Sequence, residues 1–350
     1  MSGSLEPTSS TSPARRRRLP LIASGVSLLL AGFIAWRLQQ VSTPKPFTRE
    51  VVLSELATHY PSVSLPADSL PPGVVAQENL TFAPDTRPAL ALDVYRPAGE
   101  TPLPAILLVH GGGWERGDRT MERPFAKRLA ALGFIAVPVS YRLGPPGRFP
   151  NALFDLKAAV RWLRANAARF AIDPKRVGAV GMSAGGQLVA LLGASNGVDR
   201  LEGPGGPQQQ SSAVQAVVDI DGLVDFTENA LLEKEEREPG APTRFLGGAY
   251  LERATTWREA SALFHVGPRS APTLFINSTA PTPILPGRPE MVKKLIAEKV
   301  TARQVVIPDT PHPFWLLNPW FEPTLRAAAQ FLREQLNASV EHEHQQEQHD

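Results

Sequence analysis

The segment GMSAGG, residues 181–186, places a serine between glycines. A serine hydroxyl on a tight turn can act as a nucleophile when a base removes its proton, and the backbone amides that follow can bind the negative charge that develops on the substrate. The chain contains no cysteine, which excludes a thiolate nucleophile, thiolate metal ligands and disulfides. Nucleophilic chemistry at Ser183 would therefore use oxygen. The pattern alone is also typical of a strand–turn–helix connection with no catalytic role.

A second glycine segment, HGGGW at residues 110–114, follows an apolar run. Consecutive glycines let a backbone approach a ligand closely and direct its N–H groups at it. We predict that the amides of Gly112 and Gly113, with that of Ala184, form an oxyanion hole. The glycines could also serve only as a tight exit from a strand. Two such segments in this order nevertheless favour a catalytic site built around Ser183.

A catalytic serine needs a base, and the chain contains seven histidines that could supply it. His312, in IPDTPHPFW, directly follows the last predicted strand, which suits a chain order of serine, acid and then histidine. His265 precedes a predicted strand and is expected to be structural. The others lie in the glycine segment, in a proline-rich segment or near the C-terminus: His110, His59, His342, His344 and His349. We therefore predict His312 as the general base.

The acid that orients this histidine is less clearly marked. Its usual place follows the predicted strand TLFINST, where this chain has Pro281. Glu290 is the carboxylate left in that connection, at the start of a predicted helix, where the helix dipole alone could account for it. Asp225 could serve from the neighbouring strand, whereas Asp309 lies too close to His312 along the chain. We predict Glu290 as the acid, with Asp225 as the alternative.

These residues must be positioned by the elements between residues 73 and 338, where strand and helix patterns alternate. Strands are predicted at 89–97, 105–113 and 134–142, a helix at 155–170, and further strands and helices follow in turn. Such alternation predicts an α/β fold, with a mostly parallel sheet covered by helices on both faces. The segment at about 223–265 is predicted to be a small cap insertion over the carboxyl edge of the sheet.

The two ends of the chain differ in composition from this domain. Residues 1–18 are predicted to be a disordered basic N-terminus, 37–72 a proline-rich linker and 339–350 a disordered polar tail. Residues 19–36 carry no charge and, at about 1.5 Å per residue, would span roughly 27 Å as a helix. After four arginines this predicts an anchor that places the domain on the periplasmic or extracytoplasmic side of a membrane. A cleaved signal segment and a secreted protein are the alternative.

The net charge of the chain is +2. Residues 1–37 hold five arginines and one glutamate, a net charge of +4, so the remaining residues carry −2. A folded part with this balance is not expected to bind nucleic acid.

With both glycine segments, the chain resembles the α/β-hydrolase family from about residue 74 to 337. The resemblance is to the branch with an HGGG oxyanion loop, which includes hormone-sensitive-lipase-like enzymes and bacterial feruloyl and acetylxylan esterases. It extends to SYRL, FPNALFDLKAAVRWLR and DPKRVGAVGMSAGG. The segment GRPEM is similar to GRDEM or GRDDM of bacterial carbohydrate esterases. Its second acidic position falls on Glu290, and its first falls on Pro289, which departs from the pattern.

The resemblance implies an α/β-hydrolase fold and a serine esterase in which Ser183 is the nucleophile and His312 the base. It implies removal of short acyl groups, acetyl above all, from plant polysaccharide or oligosaccharide, without a metal or other cofactor. Trp114 and Trp315, and less so Trp320, are candidates for stacking on a sugar ring, although each also suits packing. Two alternatives stay open: an esterase on small or lipidic esters, and a non-catalytic ligand-binding member of the fold.

Overall fold

The computed structural model describes Gly3 and residues 46–279 and 286–346, and of 338–346 it gives only the helical backbone. The described domain belongs to the unit Pro46–Asp350. The predicted anchor at 19–36 therefore lies outside the described residues. Within the described ranges, no helix is long and apolar enough to cross a membrane.

A twisted sheet of eight strands forms the centre of the described domain, in the order β1-β2-β4-β3-β5-β6-β7-β8. β1 pairs antiparallel with β2, and β2 with β4, whereas the other pairs are parallel. This confirms the predicted α/β class with a mostly parallel sheet. The strands are β1 (Val74–Ala83), β2 (Leu90–Pro97), β3 (Leu103–Val109), β4 (Ile135–Val139), β5 (Ile172–Met182), β6 (Ala216–Ile220), β7 (Thr273–Asn277) and β8 (Ala302–Val306).

Helices cover both faces because the central strands are apolar on both sides, as in β3, where Ile106, Leu107 and Leu108 are all fully buried. Leu129 and Leu325 belong to the core of one face. One face carries α1 (Arg49–Leu56), α2 (Arg123–Ala131) and α10 (Phe321–Gln346); the other carries α3 (Asn151–Ala165), the short α4 (Ala167–Phe170), α5 (Ala184–Ala194) and α9 (Arg288–Ala297).

The segment between β6 and β7 lies where the sequence predicts a cap at about 223–265. It contains α6 (Asn229–Arg237), α7 (Ala241–Leu246) and α8 (Tyr250–Ala260). Phe245 of α7 and Trp257 of α8 are buried in the same core as the helices beside it, so this cap is packed onto the domain.

The described part of the predicted linker, from residue 46 to 72, also packs on the domain. α1 begins after Thr48, whose Oγ1 accepts a hydrogen bond from the Val51 amide. Val52 is buried, and the Tyr60 ring meets Trp320 edge-on at 5.3 Å. At the other end, α10 continues to Gln346, into the segment predicted as a tail.

Candidate active site

Ser183 lies on the turn between β5 and α5. Its backbone adopts φ 53° and ψ −117°, a left-handed φ that is uncommon for a residue with a Cβ. The flanking glycines make the turn possible, because a Cβ at Gly181 would lie 2.1 Å from the Gly185 carbonyl oxygen and one at Gly185 would lie 2.1 Å from that of Val109. The Ser183 amide donates to the Ile220 carbonyl at 2.8 Å. The turn thus projects the hydroxyl above the carboxyl edge of the sheet.

His312 follows β8 and meets this hydroxyl. The distance between Ser183 Oγ and His312 Nε2 is 3.0 Å, within reach for proton transfer. The structure therefore brings together the serine and the histidine that the sequence singled out. They lie 129 residues apart along the chain.

The other nitrogen of the histidine ring contacts a residue that the sequence analysis did not propose. His312 Nδ1 lies 3.0 Å from Oδ2 of Asp221. Asp221 directly follows β6, and its carboxylate is fully buried. A carboxylate at Nδ1 fixes the proton there and leaves Nε2 free to accept the serine proton. Asp221, His312 and Ser183 thus form one continuous hydrogen-bonded chain.

The prediction of Glu290 as the acid is therefore corrected to Asp221. Glu290 lies in the first turn of α9 and is exposed to solvent. The alternative, Asp225, is engaged in its own turn, where its Oδ1 accepts from the amide and the hydroxyl of Thr227 at 2.7 Å each. The expected position at Pro281 lies outside the described residues.

The acid can lie after β6 instead of β7 because the two strands are neighbours in the sheet. β6 and β7 pair in parallel, and neighbouring strands lie about 4.8 Å apart. A carboxylate at the end of β6 can thus reach the same imidazole as one at the end of β7. A signal was available in VVDIDG, because Asp221 ends a strand pattern and precedes a glycine, as a residue on a strand-end turn often does.

The Asp221 carboxylate is held by the end of the neighbouring strand. Its Oδ1 accepts from the Ser278 amide at 2.7 Å, and the Asp221 amide donates to the Ile276 carbonyl at 3.0 Å. The residue has φ 51°. One oxygen is thus bound to the backbone and the other is directed at His312.

The backbone of Gly111, directly before the predicted oxyanion residues Gly112 and Gly113, lies beside the serine. Gly112 and Gly113 have φ values of 113° and 63°, and a Cβ on Gly111 would lie 3.1 Å from the Ser183 Cβ. Ala184 is the first residue of α5, where the helix dipole favours an anion. Across the described ranges, no protein acceptor takes a hydrogen bond from these three predicted amides. They are therefore available to a substrate oxygen.

His110 supports this loop from below. Its Nδ1 lies 2.7 Å from the Gly111 carbonyl, and its ring stacks on Tyr141 at 4.5 Å. The Tyr141 hydroxyl donates to the His110 carbonyl at 3.0 Å. Complete burial lowers the pKa of His110 to about 4, so the ring is neutral at neutral pH.

The model of the BD-FAE family matches residues 92–288 of this chain. The chain belongs to the BD-FAE family. The matched segment includes the HGGGW segment, Ser183 and Asp221, and it ends before His312.

Curated relatives of this BD-FAE chain are named as esterases. Esterase LipC of Mycobacterium tuberculosis is 29% identical over 263 residues, which cover 71% of this chain and 62% of the relative. Carboxylesterase NlhH of the same species is 41% identical over 92 residues, 26% of this chain and 28% of the relative. The chain thus spans less than two thirds of the length of these relatives.

Solved structures share the fold. A thermophilic esterase of Thermogutta terrifontis, Est2 with bound propionate, superimposes with a TM-score of 0.63 at 25% identity, covering 75% of this chain and 94% of that one. A bifunctional GH43-CE of Bacteroides eggerthii gives a TM-score of 0.65 at 25% identity, covering 74% and 38%. These matches confirm the α/β-hydrolase fold of the BD-FAE chain.

A cavity of about 600 Å³ opens over the site of this BD-FAE domain. Ser183 and Ala184 form its floor and cap residues form its wall. Trp114 lines it as predicted, but one face of its indole is stacked on Phe245, 4.7 Å away and nearly parallel. Its Nε1–H donates to Gln187 at 3.0 Å. Trp114 is thus held rigidly, with little free surface for stacking on a sugar.

Trp315, predicted to bind substrate, lies behind the site instead. Its side chain is 1% exposed, and its ring meets the His312 ring edge-on at 5.0 Å. Trp320 is likewise buried, against Tyr60. Trp315 therefore supports the histidine from the core, and neither tryptophan reaches the cavity.

Two charged groups tie the cap to the oxyanion loop. Arg244 of α7 binds Glu115 with two hydrogen bonds, of 2.6 and 2.9 Å. Within the cap, the buried Glu235 accepts from the amides of Gly240 and Thr243. These contacts hold the cap residues at one side of the cavity.

Candidate metal ligands among the described residues are histidine, aspartate and glutamate side chains. Within the described part of the chain, no group of three or more histidine, aspartate or glutamate side chains is arranged to hold a metal ion.

Proposed function

We propose that this chain is a serine carboxylic-ester hydrolase with Ser183 as nucleophile, His312 as general base and Asp221 as the acid. One observation carries the proposal: two 3.0 Å contacts link Asp221, His312 and Ser183 in a single line. The free amides beside the serine and the esterase names of the relatives support it.

In the first half-reaction, Ser183 Oγ attacks the ester carbonyl carbon while its proton passes to His312 Nε2. The carbonyl oxygen becomes an oxyanion bound by the amides of Gly112, Gly113 and Ala184. Asp221 stabilises the imidazolium and keeps its orientation. The carbon–oxygen bond to the alcohol then breaks, and the alcohol takes the proton from His312.

In the second half-reaction, water attacks the acyl-serine. His312 accepts a proton from that water, a second oxyanion forms in the same hole, and its collapse releases the acid and returns the proton to Ser183. Every proton in this scheme is moved by His312, and no other group is needed.

We propose short acyl groups, acetyl above all, on plant polysaccharide or oligosaccharide as the substrate. The bifunctional protein of Bacteroides eggerthii carries a CE part of this fold, and Est2 of Thermogutta terrifontis binds propionate and butyrate. The cavity here is open and bears charged groups, Lys234 and Glu238, beside its apolar wall. Such a rim suits a polar alcohol part better than a lipid chain.

Small soluble esters are the second candidate substrate. Leu223 and Leu231 line the cavity, and an apolar surface of this kind accepts a simple alkyl or aryl alcohol. The carboxylesterase names of curated relatives favour this candidate too.

The test uses the purified full-length chain and a Ser183→Ala variant. Acetate release from acetylated xylan is compared with hydrolysis of p-nitrophenyl acetate and of a long-chain p-nitrophenyl ester. We expect the acetyl substrates to be turned over, the xylan with the higher kcat/KM, and a fluorophosphonate probe to label the wild type alone. Hydrolysis of p-nitrophenyl acetate alone would favour small esters. No turnover and no labelling would leave a non-catalytic binding role.

We also propose that residues 19–36 anchor the enzyme at the extracytoplasmic side of a membrane, or direct its secretion if cleaved. The support is the uncharged segment after four arginines. Sequencing the N-terminus of the mature protein from membrane and soluble fractions tests this. An intact N-terminus in the membrane fraction supports the anchor, and a new N-terminus beyond residue 36 in the soluble fraction supports secretion.

A further inference from the structure

A buried ion pair lies next to the acid turn and is not used in the proposed chemistry. Arg288, the first residue of α9, is 2% exposed, and Asp219 in β6 is fully buried. Arg288 Nη2 lies 2.9 Å from Asp219 Oδ1. Burying two charges is expensive, and such pairs often add little to stability. Their position therefore calls for another explanation.

The pair holds the residue that directly follows Asp221. The Gly222 amide donates to Asp219 Oδ1 at 2.7 Å, and Arg288 Nε donates to the Gly222 carbonyl at 2.7 Å. Both backbone groups of Gly222 are thus bound by the two charged side chains. A Cβ at Gly222 would lie 2.3 Å from the backbone nitrogen of Gln187, so the turn is also closely packed.

The same guanidinium reaches the neighbouring strand. Arg288 Nη1 donates to Oδ1 of Asn277, the last residue of β7. The next residue, Ser278, supplies the amide that binds Asp221 Oδ1. One side chain therefore bonds to both strand ends from which the Asp221 carboxylate is held. A guanidinium suits this task because its donors are fixed in one plane and point in several directions.

We propose that Arg288, supported by Asp219, is a positioning residue that sets the geometry of the acid at His312; this inference rests on the proposed role of Asp221. Asp221 adopts a left-handed φ, which is uncommon for a residue with a Cβ and is held in place by surrounding contacts. Arg288 supplies the restraint by fixing the carbonyl after Asp221 and the strand end beside it. It touches neither substrate nor the reacting atoms.

Electrostatics agree with this arrangement. Burial raises the pKa of Asp219 to about 7, while the Arg288 guanidinium and the Gly222 amide act to lower it. Loss of the guanidinium would therefore favour the neutral carboxyl, which is a weaker acceptor for the Gly222 amide.

The experiment is a double-mutant cycle in the full-length chain with Arg288→Lys and Asp221→Asn, assayed on p-nitrophenyl acetate. A displacement of about 1 Å at a catalytic group can reduce the rate roughly 100-fold. We expect Arg288→Lys to reduce kcat about 10- to 100-fold with little change in KM. In the Asp221→Asn background the same change should have almost no further effect, because the group it positions is gone. An equal loss in both backgrounds would overturn the proposal.

Two further variants separate positioning from folding. Asp219→Asn/Arg288→Gln removes both buried charges while keeping polar side chains, and we expect it to remain folded with a reduced kcat. Full activity in this variant would also overturn the proposal. Arg303→Lys, in the exposed pair with Glu334, is the matched control and should leave kcat unchanged.

The same cycle distinguishes the inference from the function on which it rests. If Asp221→Asn alone leaves kcat unchanged, the proposed triad is wrong. If Asp221→Asn reduces kcat but the Arg288 effect is additive, the triad stands and only the positioning role fails.

Discussion

Two turns at the carboxyl edge of the sheet do similar work by different means. Ser183 after β5 and Asp221 after β6 have almost the same φ, 53° and 51°, and each projects a functional side chain toward His312. The serine turn is made possible by glycines within two residues of it. The acid turn is held by residues from β7 and α9 that lie far along the chain. Similar backbone geometry can thus be encoded locally or by tertiary contacts.

The largest effect is expected from removing the group on the first turn. Ser183→Ala should reduce kcat by about 10⁶-fold, since removal of a triad nucleophile has an effect of this order. The fold should persist because alanine can occupy the space of serine. Steady-state kinetics with the circular dichroism spectrum as control measures this. A residual rate within tenfold of the wild type would exclude Ser183 as the nucleophile.

The second turn is tested by comparing three carboxylates. Asp221→Asn should reduce kcat by about 10⁴-fold, because the amide favours the wrong tautomer of the histidine. Glu290→Gln and Asp225→Asn are the matched controls and should stay within about twofold of the wild type. Glu290 is exposed, and an asparagine at position 225 keeps the Oδ1 acceptor for Thr227. A greater loss in Glu290→Gln than in Asp221→Asn would reverse the assignment.

Acid stability is expected to depend on His110, which precedes the oxyanion loop beside the serine turn. His110 is neutral in the folded state with a pKa lowered to about 4, whereas an unfolded chain protonates histidine near pH 6.5. Between these values the unfolded state binds more protons, so the folded state loses stability as the pH falls. The loss should reach roughly 2–3 kcal/mol at pH 4.5 relative to neutral pH.

Urea unfolding of the wild type and of His110→Asn measures this pH-dependent loss of stability. The asparagine amide can replace the donor to the Gly111 carbonyl but does not titrate in this range. We expect the free energy of unfolding of the variant to fall less between pH 7 and 4.5. Identical pH dependence in both proteins would show that His110 is not the source of the loss of stability.

The smallest effect concerns the glycines that distinguish the two turns. Gly185→Ala places a methyl group 2.1 Å from the Val109 carbonyl oxygen and should lower the free energy of unfolding by about 1–3 kcal/mol, as overpacking does. Gly267 is the control, because a Cβ there meets no atom within 4 Å. Thermal unfolding compares the two alanine variants. An equal, small change in both would show that the elbow can relax around the methyl group.

Sequence patterns were most informative where burial was complete. β3 is an apolar run buried over nearly its whole length, and it overlaps the strand predicted at 105–113. β1 was not predicted, because it is an edge strand with mostly exposed residues and little alternation of apolar and polar residues. The prediction that Trp315 binds substrate was wrong for a related reason. An indole close to His312 in sequence can face the cavity or the core, and only packing shows which.

The sequence by itself determined the fold class, the serine turn and its oxyanion glycines, and the histidine that meets them. Their requirements are local: glycine where a Cβ has no room, and a histidine directly after the last strand. Only the tertiary structure decided the acid, because a carboxylate reaches the imidazole through space. Two neighbouring parallel strands end close enough for either to supply it. The Ser278 amide binds Asp221, and Arg288 binds the carbonyl of the next residue, Gly222; chain distance reveals neither contact.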